Sequence, residues 1–224
     1  MLMYKTDVIE TSGEDLNITF LGHGTLMFAF GTLVIHVDPV SDVADYTTLP
    51  KADIILVTHE HFDHCETDTI EMLRKEGTVV VGSESCTEKI SNYTVMRNGD
   101  VKTIRGLTIE ALPAYNMIHM RSPGNPFHPR GVGNGYVITF NDKKVYIAGD
   151  TENIPEMKEL RGINVAFLPM NLPYTMTPEM VADAARTVRP KILYPYHFGD
   201  TDTSKLTDLL KDSTDIEVRI RDMQ

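Results

Sequence analysis

Long apolar runs are missing from this 224-residue chain. None approaches the roughly 20 residues needed to cross a bilayer. The stretch from Met1 to Phe20 is broken by Lys5, Asp7, Glu10, Glu14 and Asp15, so it lacks the apolar centre of a secretory signal. Cysteine is scarce: Cys65 and Cys86 are too few for a disulfide framework at this length. Together these absences lead to the expectation of a cytoplasmic protein with no membrane partner. Basic charge is also short, 21 Lys and Arg against 32 Asp and Glu, for a formal net charge of -11. Such a field repels polyanions and no Lys/Arg cluster offsets it, so nucleic acid is not an expected partner. A small anionic molecule held by one or two arginines stays open. No low-complexity tract is present, and 42% hydrophobic with 24% charged residues is ordinary for a globular chain. Residues 1–224 therefore read as one domain, long enough to bury a core, of unspecified oligomeric state.

What is present begins with three short β-prone runs between Leu16 and Val37, punctuated by Gly22, Gly24 and Gly31. After a polar loop from Asp38 to Asp53, Ile54-Ile55-Leu56-Val57 has the continuous apolar character of a strand covered on both faces. Thr67 to Lys75 is expected to be a helix ended by Gly77, and Thr78 to Val81 a second buried strand. Further strands are expected around Tyr93 to Met96, Val101 to Ile104 and Leu107 to Leu112, followed by a long loop from Pro113 to Gly133. Tyr136 to Phe140 and Val145 to Ala148 read as a hairpin. Asn164 to Leu168, Lys191 to Tyr194 and Ile216 to Ile220 read as later strands. Thr177 to Val188 is the clearest helix, with Thr177 as N-cap, Pro178 in the first turn, and Met180, Val181, Ala184, Ala185 and Val188 on one face. Strand runs passing into β-α-β units once per half indicate a mixed α/β protein.

The strongest chemical signal is His59-Glu60-His61-Phe62-Asp63-His64, three imidazoles and a carboxylate directly after a buried strand. Alternate positions leaving a strand point the same way, so His59 and His61 suit one ion while Asp63 and His64 face a second. Two divalent ions about 3.5–4 Å apart share a water, lower its pKa towards about 7 and deliver hydroxide to an electrophile.

Thr58-His59-Glu60-His61-Phe62-Asp63-His64 resembles the signature of the metallo-β-lactamase fold superfamily, and the likeness covers nearly the whole chain. Asp38-Pro39 is similar to the strand-end pair that precedes the signature. Gly149-Asp150-Thr151 is similar to the turn whose Asp bridges both metals, and Tyr194-Pro195-Tyr196-His197 to the late strand whose His completes the second site. Gly22-His23-Gly24 and Pro113-Ala114-Tyr115 resemble the branch of ascorbate-6-phosphate lactonase and related uncharacterised metal-dependent hydrolases. The resemblance implies a four-layer αββα sandwich of two mixed β-sheets. It also implies a metal set of His59, His61, Asp63, His64, Asp150 and His197, with Asp63, His64 and Asp150 closest to the chemistry. The expected ions are two divalent cations, zinc with manganese as the alternative.

The chain departs from that pattern after Tyr115, where related branches carry a metal-binding His and this one has Asn116. Asn116 through its amide oxygen, His119, or His128 returned by the Pro-Gly-Asn-Pro turn at residues 123 to 126 are the candidates, with His128 preferred. Asp38 is expected to orient an imidazole through its outer nitrogen, and His23 to do likewise or to pack. His36 and Cys65 are read as structural. Arg130, with His119, Arg121 and His128, is expected on one pocket wall, and Tyr174, Thr175 and Met176 beside the substrate. The function expected is hydrolysis of a small ester, lactone or phosphoester by metal-bound hydroxide. The alternatives are a phosphodiesterase or nuclease, or a non-catalytic metal-binding protein whose first site has degraded.

Overall fold

Ile54-Ile55-Leu56-Val57 is buried at all four positions, because alternate side chains serve two different cores. Ile54 and Leu56 enter one cluster, Ile55 and Val57 the other. A computed structural model describes residues 4–223 and shows how this arises. The first sheet runs in sequence order through β1 (Thr6–Ile9), β2 (Leu16–Gly22), β3 (Thr25–Phe30), β4 (Leu33–Val37), β5 (Ile54–Val57), β6 (Val79–Gly82) and β7 (Thr94–Val95). Its first three pairings are antiparallel and its last three parallel.

The second half repeats that scheme with β8 (Val101–Ile104), β9 (Leu107–Ala114), β12 (Gly133–Phe140), β13 (Lys143–Ile147), β14 (Ile163–Pro169), β15 (Ile192–Tyr196) and β16 (Glu217–Val218). It also has three antiparallel and then three parallel pairings. Between the sheets, Phe28 lies 5.9 Å from Phe140 and 6.2 Å from Phe167, centroid to centroid. Helix α1 (Thr67–Leu73) covers Ile55, Val57 and Val80 through Ile70 and Leu73. Helices α2 (Pro178–Val188) and α3 (Ser204–Leu210) form the opposite outer layer, α2 against β14 and α3 against α2. The architecture is the expected four-layer αββα sandwich of two mixed sheets. No helix of the described residues is long and apolar enough to cross a membrane.

Helix α2 forms as read: Thr177 accepts from the Met180 amide, Pro178 opens the first turn, and Val181, Ala184, Ala185 and Val188 are buried. Elsewhere the boundaries differ. Helix α1 stops at Leu73 rather than Lys75. Strand β1 was not expected, because only Ile9 of its four residues is buried and an edge strand with one apolar anchor leaves no alternation. The region 113–133 is not a plain loop: it extends β9 to Ala114 and contains a two-stranded ribbon, β10 (Met120–Ser122) with β11 (Asn125–Pro126), turning at Gly124 with φ +77. Helix α3 was overlooked although Asp202 accepts from the Ser204 amide and hydroxyl, and Leu206 and Leu210 are buried one turn apart.

His36 is structural. Its ring is buried on β4, and Nε2 donates to the Pro50 carbonyl at 3.1 Å. Burial pushes its pKa down to about 4, with the carbonyl opposing only in part. The folded value lies below the unfolded one, so this contribution is complete above about pH 6.5 and is lost as pH falls towards 4. Over that window it amounts to about 3 kcal/mol. Denaturant melts of metal-free wild type and His36→Gln should diverge between pH 6.5 and 4, the variant losing less stability. Parallel pH profiles would show that burial of a neutral imidazole does not set this acid sensitivity.

Candidate metal centre

The polar residues gather where strands of both sheets end. His59 and His61 follow β5, His23 follows β2, Asp38 follows β4, Asp150 follows β13 and His197 follows β15. The exit from β5 is pinned across the sandwich: the Tyr136 hydroxyl donates to the Val57 carbonyl at 2.8 Å, and the Asn134 amide to the Thr58 carbonyl at 2.9 Å. His23, Asp38 and His197 have φ of +50, +46 and +48, left-handed values costly for side chains with a Cβ. Close approach also requires glycine: a Cβ on Gly24 would stand 2.9 Å from the His64 ring, and one on Gly149, at φ +66, 2.7 Å from the Asn134 carbonyl.

Three imidazoles have their outer nitrogen committed. Asp38 accepts from the Thr58 amide and hydroxyl, both at 2.7 Å, and from His64 Nδ1 at 2.8 Å. Because the Thr58 hydroxyl gives its proton to Asp38, its oxygen accepts from His59 Nδ1 at 2.9 Å. His128 Nδ1 donates to Asn116 Oδ1 at 2.8 Å, and the same oxygen accepts the His128 amide. In each ring Nε2 is thereby left bare and directed inward.

Those bare atoms converge. Ligating atoms of His59, His61 and His128 lie within 4.8 Å of one another, as do those of His23, Asp63, His64 and His197. Asp150 stands between the two groups: Oδ2 is 3.2 Å from His128 Nε2 and 3.4 Å from His197 Nε2, and Oδ1 is 3.5 Å from His64 Nε2. Two ligands of one tetrahedral zinc, each 2.0–2.1 Å from it, stand about 3.4 Å apart. Among the described residues, His59 Nε2, His64 Nε2, His197 Nε2 and Asp150 Oδ1 are buried with no hydrogen-bond partner. Buried polar atoms without partners are expensive, and a shared divalent cation removes the cost. The donor set therefore fits a metal.

The electrostatics set acids against buried imidazoles: burial presses the His64 pKa down, but Asp150 and Asp38 raise it well above its ordinary value, so a cation at Nε2 would displace a proton. Burial works against charge on Asp150, yet His197 and His64 outweigh it and hold the carboxyl well below the usual carboxylate range. Burial likewise pushes the Asp63 carboxyl up, but the neighbouring His197 and His23 imidazoles bring it down. His59 is held well below its ordinary value by burial and by the charge of His64, which keeps its nitrogen free to ligate.

Of the remaining residues some fall as expected and others do not. His23 does more than pack: Nε2 is 3.1 Å from Asp63 Oδ2 and its ring centroid 3.8 Å from that of His197. His119 is turned away and pairs with Glu152 at 2.7 Å. Arg130 is not on the metal pocket; it lies on another face, over the Tyr115 ring and paired with Glu156. Thr175 and Met176 are wholly buried and cannot meet a substrate, whereas the Tyr174 side chain does line the pocket. That pocket, of about 410 Å³, opens over His61, Asp63, His128, Asp150 and His197. The sequence reading missed Glu152. This carboxylate, completely buried, accepts from the Met117, Ile118 and His119 amides, His119 Nδ1 and Asn116 Nδ2, and so anchors the segment that presents His128. Its sequence signal was only its place two residues after Asp150.

Residues 17–197 match the family model described as the beta-lactamase superfamily domain. A UPF0173 metal-dependent hydrolase of Koribacter versatilis is 32% identical over 202 residues, covering 83% of this chain and 85% of that one. A solved structure of a proposed metal-dependent hydrolase from Parabacteroides distasonis is 51% identical with a TM-score of 0.95, covering 99% of this chain and 100% of that one. A solved metallo hydrolase from the archaeon Ignicoccus hospitalis is 25% identical with a TM-score of 0.75, covering 93% and 95%.

Proposed function

We propose, for a chain that belongs to the beta-lactamase superfamily and is a metal-dependent hydrolase within it, that it adds water to a small ester, lactone or phosphoester at a pair of divalent cations. The observation carrying this reading is the convergence of bare, buried Nε2 atoms on both sides of Asp150. His59, His61 and His128 would hold one cation, Asp63, His64 and His197 the other, with Asp150 between them. Bound zinc or manganese supplies Lewis acidity, polarising the electrophile and bringing a water pKa towards about 7. Asp63, the most exposed carboxylate of the set, faces the pocket and orients the attacking water or takes its proton, while His23 steadies its Oδ2. The binding-only alternative took Asn116 as the mark of a lost ligand, and the seating of His128 beside His59 and His61 removes that motive.

The test is metal analysis and turnover of reconstituted protein on para-nitrophenyl esters, bis-para-nitrophenyl phosphate and phosphorylated lactones. Two ions per chain with turnover are expected. In His61→Ala one ion should be lost and kcat/KM should fall by at least about a hundredfold, with the circular dichroism unchanged. One ion in wild type and no turnover on any substrate would return the reading to a binding protein.

A further inference from the structure

The acidic chain carries ten arginines. Nine donate hydrogen bonds to carboxylates, a hydroxyl or backbone carbonyls. Among the described residues Arg121 alone donates none, and no carboxylate lies within ion-pair distance of it. It is also the one Lys or Arg lining the metal pocket. Its guanidinium lies over the Phe127 ring at 5.2 Å, and Phe127 meets Tyr174 edge-on at 5.1 Å. Phe62, 80% exposed although it sits inside the His/Asp motif, lines the same pocket. The cavity therefore holds the donor groups of the metal centre. Beside them it holds three aromatic side chains and an unspent fork of donors.

Resting on the hydrolytic reading above, we infer that Arg121 selects substrates whose acyl portion bears a second anionic group, a carboxylate or phosphate, joined to the scissile bond by an apolar spacer that lies along Phe62, Phe127 and Tyr174. A planar fork gives two parallel charge-assisted hydrogen bonds to such a group. Its cation–π contact with Phe127 restrains the guanidinium in advance, so less side-chain freedom is lost on binding. Arg121 lies on β10, in the same segment that returns His128, so recognition and the third imidazole are carried by one stretch of chain. The residue positions substrate and takes no part in bond breaking.

The experiment compares para-nitrophenyl butyrate with mono-para-nitrophenyl glutarate, esters that differ chiefly by a terminal carboxylate. Wild type is expected to favour the glutarate ester in kcat/KM by about tenfold or more, mostly through KM. In Arg121→Met, which keeps an apolar side chain over Phe127, the ratio should fall to about unity at unchanged metal content, and Arg121→Lys should retain part of it. Calorimetric titration of the metal-loaded protein with glutarate is the parallel measurement, expected to weaken about tenfold in Arg121→Met. If neither ester is turned over, the hydrolytic reading fails while the titration still decides the role of Arg121. A ratio or a glutarate affinity that survives in Arg121→Met overturns the inference and places the anion on the metals alone.

Discussion

Asp150→Asn is expected to lower hydrolysis by about a thousandfold or more and to leave less than full occupancy of both metal positions. The carboxylate is buried, and its Oδ2 is within 3.4 Å of imidazoles belonging to both ligand groups. An amide of the same shape fills the same space but brings no charge, and one of its ends presents hydrogens to a cation. Two cations held close together then repel each other with nothing between them. Loss of the weaker-bound ion should come first, followed by failure to polarise the electrophile from both sides. Elemental analysis after dialysis, beside kcat/KM, checks this, and circular dichroism shows whether the sandwich persists. Wild-type occupancy at both positions would mean that Asp150 does not bridge.

The ease of seeing Asp150 and the difficulty of seeing Glu152 have the same physical origin. A ligand motif is local: His59, His61, Asp63 and His64 leave one strand together, and their spacing is set by strand and turn geometry. Asp38 was legible for a similar reason, standing where a strand ends in front of the motif, and the structure seats it on His64 Nδ1. Both sheets could be anticipated where apolar runs were continuous, as in β5, and not where an edge strand such as β1 buries one residue. Glu152 is different, because its partners are backbone amides more than 30 residues earlier, and amides carry no sequence signal. Arg130 was misplaced because nearness to His128 in the chain does not say which face a side chain takes, and this one lies over Tyr115. Thr175 was misplaced because its hydroxyl serves the Asn171 backbone rather than the pocket. Sequence thus named donor side chains that the structure brings together, and the residues that hold them only where both lie at strand ends.

Asn116 is the residue that departs from the resemblance, and its geometry makes a second strong expectation. Its Oδ1 accepts both the amide and Nδ1 of His128, while its Nδ2 donates to Glu152 at 3.2 Å and to the Tyr174 carbonyl at 2.9 Å. With every arm committed, Asn116 has no lone pair directed at an ion that His128 does not already reach. On the reading proposed above it orients a ligand in place of being one. His128→Ala should therefore weaken the first cation by at least about a hundredfold in a chelator competition, having removed a donor outright. Asn116→Ala should weaken it about ten- to a hundredfold, because His128 remains but its ring is free to turn and Nδ1 is unpartnered. The double variant should be no worse than His128→Ala alone, since the amide acts through the imidazole. A structural role for Asn116 would instead lower stability in both backgrounds and leave the metal affinity of Asn116→Ala near that of wild type. Additive losses in the double variant would show Asn116 to be a ligand in its own right, and wild-type affinity in His128→Ala would leave the first cation to His59, His61 and Asp150.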